Sequence, residues 1–311
     1  MRILVTGGAG FIASHIVDAY LAAGHEVAVL DNLSTGRREN LNPRATLYEG
    51  DICFHDQVQK VFDEVRPEVV NHHAAQLDVR LSLEQPAFDA TVNILGTINL
   101  LTHAARCRTR RFIFASSGGV LYGECEQEFP ASERAPLCPI SPYGFSKQAG
   151  EQYLRFFTAE HGLEGVALRY ANVYGPRQRG GEAGVITIFC QALLAGKTPT
   201  IFGDGQQVRD YVCVSDVVAM NLKVLERGMG AYNVGTGTTT SVNALFAKLR
   251  ALAESTVEVQ YAPARSGELQ RNALNAERAW RELEWQPLMK LDDGLRQTFD
   301  FCKLQRVRET R

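Results

Sequence analysis

The sequence predicts an α/β protein in which a doubly wound parallel sheet is accompanied by a smaller α/β lobe. Through the first half of the chain, short β-branched runs alternate with longer amphipathic runs, as expected for a parallel sheet covered by helices on both faces. After about Arg177 this alternation breaks, and shorter elements follow among Gly, Pro and charged residues. At roughly 150 residues per domain, 311 residues suit one large domain or two intimate ones.

The elements of the first half can be placed in chain order. Six strands are predicted where short apolar runs end at turn residues, over residues 3–5, 26–30, 46–49, 68–72, 111–115 and 165–169. Three helices are predicted from apolar residues at helical spacing, over residues 11–23, 87–107 and 142–161. For the last helix, Ser141 suits the N-cap, Pro142 the first position and Gly162 the end.

Charge and hydropathy exclude several classes of protein. The net charge of −2 is close to neutral, so no nucleic acid or anionic membrane is expected as a partner. The uncharged and mainly apolar run at residues 183–196 is shorter than the about 20 residues of a membrane-spanning helix. Met1 leads directly into a predicted strand, without a signal peptide. We therefore expect a soluble, cytoplasmic protein.

The cysteines and histidines do not indicate a metal site. The seven cysteines are neither paired nor clustered in spacing, which favours free thiols in a reducing compartment. His72 and His73 are adjacent at the end of a predicted strand, where successive side chains point to opposite faces. We expect structural histidines here and no bound metal.

A glycine-rich turn between the first strand and the first helix indicates a dinucleotide site. Gly7 permits the tight turn, Gly10 lets the backbone approach a pyrophosphate, and Ala13 stands where a third glycine is common. The pyrophosphate would rest on the helix N-terminus, near Phe11. Asp31, at the end of the second strand, can accept bonds from an adenosine ribose and would repel a 2′-phosphate. This arrangement predicts a Rossmann-type fold that binds NAD rather than NADP.

Alternatives remain open at this predicted site. A glycine cluster alone can be a simple turn. Arg37 and Arg38 could favour NADP over NAD, but they lie deeper in the loop and can be solvated. Asp51-Ile52 follows the third strand, where an adenine base would be flanked, but Asp51 could equally cap a helix.

Tyr143 and Lys147 form the candidate catalytic pair. Four residues apart on a helix, their side chains share one face and lie about 6 Å apart along the axis. A free tyrosine, with a pKa of about 10, is a poor base at neutral pH. A neighbouring ammonium together with a positively charged nicotinamide should favour the phenolate and lower that pKa. The same spacing also occurs on solvated helix faces. The catalytic interpretation of this pair is favoured because the pair follows a predicted dinucleotide-binding fold.

The fifth strand runs into Ser116-Ser117-Gly118-Gly119, which places a hydroxyl at the same edge of the sheet. Such a hydroxyl could share a proton with the substrate oxygen that Tyr143 deprotonates. Ser117 is preferred because it directly precedes the glycine pair, and Ser116 is the alternative. A plain Ser/Gly turn explains the serines alone equally well.

Taken together, these residues resemble the extended short-chain dehydrogenase/reductase family, specifically its NAD-dependent nucleotide-sugar epimerase/dehydratase group. The resemblance covers nearly the whole chain, and further motifs follow in the family's order. They are Asp31 to Gly36, His73-Ala74-Ala75, Asn93, and residues 168–177, 202–205, 209–212, 216–217 and 232–235.

The resemblance implies a set of ligand contacts. For NAD they are Gly7, Gly10, Phe11, Ile12, Asp31, Asn32, Ser34, Thr35, Gly36, Asp51, Ile52, Ala74, Ala75, Asn93, Ser116, Tyr143, Lys147 and Tyr170. For a UDP-sugar they are Ser117, Tyr143, Asn172, Val185, Thr200, Phe202, Arg209, Arg265 and Asn272. Arginines suit pyrophosphate because they offer several donors with a permanent charge. Arg209 could instead pair with its neighbour Asp210.

The activity implied by the resemblance is the interconversion of UDP-glucose and UDP-galactose through a transient 4-keto sugar and NADH. The catalytic residues would be Ser117, Tyr143 and Lys147. In related dehydratases and decarboxylases an acidic residue follows the catalytic hydroxyl, whereas this chain has Gly118-Gly119-Val120, which favours simple epimerisation. Asn272, near the position where a bulky tyrosine closes the pocket in some members, suggests a broader pocket.

Several alternatives accompany this expectation. The enzyme could be a UDP-glucuronate or UDP-N-acetylhexosamine 4-epimerase, less favourably a nucleotide-sugar decarboxylase or dehydratase, or a non-catalytic NAD-binding regulator. We expect residues 1–175 to bind NAD and residues 176–311 to form the lobe that binds the nucleotide sugar, with segments such as 232–238 packing back on the first domain. By resemblance we also expect a homodimer formed through the helices at residues 87–107 and 142–161.

Overall fold

The computed structural model describes residues 1–124, 128–179, 184–264 and 269–309. The side chains of residues 308 and 309 are not described. The strands are β1 (Arg2–Thr6), β2 (Glu26–Asp31), β3 (Thr46–Glu49), β4 (Val69–His72), β5 (Arg111–Ser117), β6 (Glu164–Tyr170), β7 (Asn172–Tyr174), β8 (Thr200–Phe202), β9 (Val208–Cys213), β10 (Gly230–Val234), β11 (Thr239–Ser241), β12 (Gln260–Ala262) and β13 (Arg271–Asn272).

The helices cover both faces of the main sheet and most of the second half. They are α1 (Phe11–Ala22), α2 (His55–Val65), α3 (Val79–Glu84), α4 (Pro86–Ala90), α5 (Gly96–Arg106), α6 (Gly118–Leu121), α7 (Pro142–His161), α8 (Val185–Ala195), α9 (Val214–Lys223), α10 (Val242–Leu252), α11 (Glu277–Leu283) and α12 (Leu291–Glu309). A 3₁₀ turn covers Arg38–Asn40, and a π turn at Thr91–Leu95 joins α4 to α5. Within the described ranges, no helix has the length and apolarity needed to cross a bilayer.

The main sheet has seven parallel strands in the order β10-β6-β5-β4-β1-β2-β3. The predicted doubly wound Rossmann-type sheet is therefore confirmed. From the central β1, the chain proceeds through β2 and β3 in one direction and through β4, β5 and β6 in the other. The direction changes between β1 and β4, and ligands of such sheets bind outside the carboxyl ends of the strands at this point.

Apolar side chains fill both faces of this sheet. On one face Ile16 and Tyr20 of α1 pack with Met220 of α9, and on the other Phe62 and Leu101 belong to the core between the sheet and α2 and α5. Since α9 and β10 come from the second half of the chain, the main sheet is completed by residues that follow position 175. The remaining strands form a sheet of β11, β9 and β13, with β7 also on β9, and a pair of β12 and β8.

The helix that carries the candidate catalytic pair begins and ends as its sequence predicts. The Ser141 hydroxyl accepts the backbone N–H of Gly144 at 3.2 Å, Pro142 occupies the first turn, and Gly162 ends the helix with φ +67°. Gly150 brings α7 close to β5, because a Cβ there would lie 2.5 Å from the Phe114 ring. This close approach holds the Tyr143 end of α7 over the carboxyl end of β5.

Two features of the fold differ from the sequence prediction. We did not predict α2, although Val58, Val61 and Phe62 recur at helical spacing and are buried. The single helix predicted over residues 87–107 is divided into α4, the π turn and α5. Such π turns are frequent at functional sites, and this one contains Asn93.

Candidate functional site

The glycine turn after β1 is built to receive an anion. Gly7 has φ +69°, and a Cβ there would lie 2.6 Å from the backbone nitrogen of Ala74, so the turn touches the chain that follows β4. No side chain caps α1 at Gly10, which leaves the first-turn N–H groups of Phe11 and Ile12 directed out of the helix end. These donors and the helix dipole fit a pyrophosphate.

Asp31 ends β2 beside this turn. Its carboxylate accepts the N–H of Ala9 at 2.9 Å and that of Leu33 at 2.8 Å, and burial raises the pKa of Asp31. Each oxygen keeps a lone pair for a ribose hydroxyl. A Cβ on Gly36 would lie 2.8 Å from Asp31 Oδ1, so the loop folds back onto the carboxylate, while Asn32, Ser34 and Thr35 of the same loop are exposed.

The two arginines that could favour NADP are engaged elsewhere. Arg38 pairs with Glu49, and Arg37 lies 3.9 Å from Glu39 on the surface. Neither of these pairs directs a guanidinium at Asp31. The Arg37 and Arg38 side chains are 49% and 64% exposed, which agrees with the interpretation that both arginines are solvated.

The predicted adenine contacts lie across the neighbouring loop. Asp51 accepts a hydrogen bond from Asn32 Nδ2 at 2.9 Å and from the backbone N–H of Cys53 at 2.8 Å. Ile52 is buried, and a Cβ on Gly96 would lie 2.7 Å from its side chain. The loops after β2 and β3 are therefore tied together at the edge of the predicted cofactor site.

The two adjacent histidines have different environments. His72 is satisfied at both ring nitrogens, by Thr6 Oγ1 at 2.7 Å and Thr97 Oγ1 at 3.0 Å. His73 places Nε2 3.1 Å from the hydroxyl of Tyr170, while its Nδ1 is buried without a partner among the described residues. Within the described part of the chain, no three His, Cys, Asp or Glu side chains are grouped to hold a metal. The His73 ring is thus held beside Tyr170 with one ring nitrogen unsatisfied by the described residues.

A buried carboxylate lies behind the candidate catalytic pair. Asp89 of α4 is fully buried and accepts hydrogen bonds from Ser146 Oγ at 2.6 Å, Asn93 Nδ2 at 2.9 Å and Gln76 Nε2 at 2.9 Å. Asn93 also binds the backbone of Gln76 through both ends of its amide. The Asn93 side chain therefore fixes the segment after Ala75, and the cofactor contact assigned to it stays a prediction.

Lys147 is buried and Tyr143 is half-buried at the carboxyl end of β5. The Lys147 ammonium donates to the Ala115 carbonyl at 2.9 Å and lies 5.6 Å from the centre of the Tyr143 ring. Burial lowers the pKa of Lys147 to about 8, although the Asp89 carboxylate opposes this shift. Burial and Asp89 both raise the pKa of Tyr143. The lowering of this pKa by Lys147 together with a positively charged nicotinamide stays a prediction.

The two candidate serines are distinguished by their partners. Ser116 is buried and donates its hydroxyl to Glu151 at 2.6 Å, and that carboxylate also forms an ion pair with Arg169. Ser117 is half-buried and precedes α6 without capping it. A hydroxyl already committed to a carboxylate is poorly placed to bond a substrate oxygen, so the geometry favours Ser117.

Three of the predicted sugar-nucleotide residues meet on one small sheet. In the strand pairing, Asn172 of β7 lies opposite Tyr211 of β9, and Asn272 of β13 lies opposite Arg209 of β9. Asn272 Nδ2 donates to the Gly118 carbonyl at 3.1 Å, and its Oδ1 is buried without a partner among the described residues. The sheet of the second half therefore contacts the turn that follows Ser117.

The remaining predicted substrate residues lie farther along the same half. Val185 opens α8, while Thr200 and Phe202 are on β8, which pairs with β12 rather than with the sheet of Asn172. Thr200 Oγ1 accepts a hydrogen bond from Gln260 Nε2 at 2.7 Å. Arg265 lies outside the described residues, so its predicted contact with pyrophosphate is untested.

Sequence reasoning did not name Asp89 and Glu151, and it did not predict the unsatisfied ring nitrogen of His73. For two of them a signal was available. Asp89 precedes Asn93 by four residues and Glu151 follows Lys147 by four, which places each on the same helix face as a residue already singled out. The orphan nitrogen of His73 depends on contacts across the sheet and has no local signal.

Comparison with known proteins gives consistent results. Residues 3–235 match the NAD dependent epimerase/dehydratase family. The chain is 43% identical to the UDP-glucose 4-epimerase of Mycolicibacterium smegmatis, covering 97% of this chain and 99% of that protein. The UDP-glucose 4-epimerase of Thermotoga maritima, solved with UDP-glucose, is 46% identical with a TM-score of 0.97 and coverage of 98% and 99%.

A second solved structure is similar in the same way. The UDP-glucose 4-epimerase of Thermus thermophilus, in complex with NAD, is 43% identical with a TM-score of 0.94, covering 97% of this chain and 99% of that one. The match extends through the glycine turn, the candidate catalytic helix and the small sheet of the second half. The chain therefore belongs to the NAD-dependent epimerase/dehydratase family, as an extended short-chain dehydrogenase/reductase enzyme that uses NAD.

Proposed function

We propose that this protein is a UDP-glucose 4-epimerase, which interconverts UDP-glucose and UDP-galactose through a transient 4-keto sugar. The observation that carries the proposal is the position of Tyr143, Lys147 and Ser117 at the carboxyl end of β5, where the Lys147 ammonium lies 2.9 Å from the Ala115 carbonyl oxygen and 5.6 Å from the centre of the Tyr143 ring. Relatives with this activity in their names align along nearly the whole chain.

The chain's own groups support a proton-transfer role for Tyr143. Its pKa is raised by burial, so the free enzyme holds the proton, and a positive charge brought beside the ring would favour the phenolate. When bound, NAD supplies the reversible two-electron oxidation at C4 of the sugar. Tyr143 takes the proton of the 4-hydroxyl, Ser117 donates a hydrogen bond to the same oxygen, and Lys147 keeps the ammonium next to the ring.

The second half supports binding of the sugar nucleotide. We assign residues 1–175 mainly to NAD and residues 176–311 mainly to the UDP-sugar, with α9 and β10 completing the first unit. Arg209 and Asn172 belong to the same small sheet, where they would hold phosphate and sugar oxygens. Once both nucleotides are held, the rate of the reaction depends mostly on how the reacting groups are positioned.

The turn after Ser117 supports epimerisation over dehydration. Dehydration needs an acid to expel the 6-hydroxyl and a base at C5. The turn offers Gly118 and Gly119 instead, and a Cβ on Gly118 would lie 2.5 Å from Leu274. No carboxylate belongs to this turn, and little room exists for one at Gly118.

The experiment is a substrate panel with matched variants. Purified protein is incubated with UDP-glucose, UDP-galactose, UDP-glucuronate and UDP-N-acetylglucosamine, and the products are separated by chromatography. We expect interconversion of the first two, at least a roughly 10²-fold loss for Tyr143→Phe, and no more than about a twofold change for Tyr261→Phe, an exposed tyrosine of β12. Protein that holds NAD but does not interconvert UDP-glucose and UDP-galactose would contradict the proposal.

We also propose a homodimer formed through α4, α5 and α7. These helices and the π turn expose large apolar side chains at helical spacing, namely Phe88 and Leu95 on one stretch and Phe145, Tyr153 and Phe156 on the other. A second copy would cover both stripes, as a stable interface of about 800 Å² per partner requires. Sedimentation should give a dimer, and Phe145→Glu with Phe156→Glu should give a monomer; a monomeric native chain at micromolar concentration would contradict it.

The cysteines support a cytoplasmic location. All six cysteines within the described residues are free thiols, as is typical of a reducing compartment. Fractionation of cells that express the tagged chain would test this, with recovery outside the cytoplasm as the contrary result.

A further inference from the structure

The buried ion pair of Glu151 and Arg169 is bonded to both ends of the serine turn, residues 117–121. Just before the turn, Ser116 Oγ donates to Glu151 Oε1 at 2.6 Å. Just after it, Arg169 Nη1 donates to the Tyr122 hydroxyl at 2.7 Å. Glu151 of α7 and Arg169 of β6 are themselves 2.7 Å apart. One ion pair therefore holds the serine turn at both of its ends.

The Tyr122 hydroxyl is satisfied both as a donor and as an acceptor. Asn233 Nδ2 donates to the carbonyls of Ala131 at 2.8 Å and Asn275 at 3.0 Å, so this amide presents its oxygen to Tyr122. The hydroxyl donates its one hydrogen to Asn233 Oδ1 at 2.8 Å and therefore accepts the bond from Arg169. A buried network whose members are all satisfied is rigid, so the end of the serine turn is fixed.

The serine turn depends on such external contacts because its own sequence is permissive. Ser117 precedes α6 without capping it, and Gly118 and Gly119 follow, the residue type with the most backbone freedom. Asn272 binds the turn at the Gly118 carbonyl, at 3.1 Å. A shift of about 1 Å at a reacting group can lower a rate about 10²-fold. The direction of the Ser117 hydroxyl therefore matters to the reaction and is determined by what holds the turn.

We propose that Glu151 and Arg169, acting through Ser116 and Tyr122, are positioning residues that aim the Ser117 hydroxyl at the substrate oxygen. This role rests on the proposed function, which gives Ser117 its part in catalysis, whereas the holding of the serine turn is a property of the chain alone. Loosening either end of the turn lowers kcat and changes KM little, because the bond from Ser117 is strongest in the transition state.

The first test needs no substrate. Tyr122→Phe keeps the buried ring and removes the hydroxyl that Arg169 binds. Hydrogen exchange followed by mass spectrometry measures the protection of the amides of residues 118–121. We expect exchange there to be about fivefold faster than in the native chain. The matched control is Tyr232→Phe, which removes another buried hydroxyl, bonded to Glu282 at 2.6 Å, and should leave these amides within about twofold of native.

The second test asks whether the effect on the reaction passes through Ser117. With UDP-galactose as substrate, Tyr122→Phe should lower kcat about tenfold and leave KM within about twofold. The double variant with Ser117→Ala should be no more than about threefold slower than Ser117→Ala alone, because the hydroxyl to be positioned is already absent. A tyrosine that served only the stability of the fold would give losses that multiply.

Two results would overturn the inference. One is native exchange across the serine turn in Tyr122→Phe, and the other is a double variant whose loss equals the product of the two single losses. Should Tyr122→Phe fail to fold, Ser116→Ala, which frees the other end of the turn, is measured in the same two ways. Native protein that holds NAD without converting UDP-galactose contradicts the proposed function instead, and the exchange measurement still decides whether the ion pair holds the turn.

Discussion

The buried ion pair of Arg169 and Glu151 gives a quantitative prediction for the substitution Glu151→Gln. Arg169 Nε and Nη2 donate to the two carboxylate oxygens at 2.9 and 2.7 Å, and their side chains are 7% and 9% exposed. Ser116 donates to the same carboxylate at 2.6 Å. The pair therefore joins β6 and α7 directly behind the serine turn.

The expected cost follows from burial. Removing one charge leaves the guanidinium of Arg169 buried without its counter-ion, and such losses cost about 3–5 kcal/mol. Glutamine keeps the volume and one acceptor, and Tyr122 still accepts a hydrogen bond from Arg169 at 2.7 Å. We therefore expect a loss of about 3 kcal/mol in the free energy of unfolding, at the lower end of this range.

Urea unfolding followed by circular dichroism measures the difference. The matched control is Glu258→Gln, whose partner Arg250 is 36% exposed and which is itself 77% exposed. That surface pair should contribute less than about 1 kcal/mol. Equal effects of the two substitutions, or a loss below about 1 kcal/mol for Glu151→Gln, would refute the view that this pair organises the serine turn.

Two further predictions concern the reacting groups. Asp89 raises the pKa of both Tyr143 and Lys147, so Asp89→Asn should lower both and move the acid limb of the kcat/KM profile to lower pH; an unchanged limb would contradict this. Ser117→Ala should lower kcat about 10²-fold because it removes a donor to the substrate oxygen, whereas Ser116→Ala should lower it less than about tenfold. The reverse order, measured under saturating UDP-galactose, would exchange their roles.

Local signals predicted α7 closely. Ser141, Pro142 and Gly162 lie at its ends, and their preferences for cap, first turn and left-handed stop act within a few residues of chain. The parallel sheet was predictable for a similar reason, since buried strands and amphipathic helices alternate in hydropathy. The helix α2 had such a signal as well and was overlooked.

Long-range contacts account for what was not predicted. The choice between Ser116 and Ser117 depends on Glu151, which is 35 residues from Ser116 along the chain. The contact of Asn272 with Gly118 spans 154 residues. No periodicity or motif encodes such pairings, because they arise from packing of separate elements.

The raised pKa of Tyr143 shows a second limit of sequence reasoning. Helical spacing places Lys147 near the Tyr143 ring, but it does not show how far the surrounding residues exclude solvent. Burial determines the sign of the shift in the chain alone. Under the proposed function, a positive charge brought beside the ring by the cofactor would offset this shift.

The central claim is that hydrogen removed from C4 is returned to C4 of the same sugar. It is tested most directly by equilibrating UDP-galactose with the enzyme in D₂O and recording the product by NMR. The account predicts UDP-glucose that carries protium at C4, formed by the native chain and not detectably by Tyr143→Phe. Deuterium at C4, or no UDP-glucose from protein that retains NAD, would contradict it.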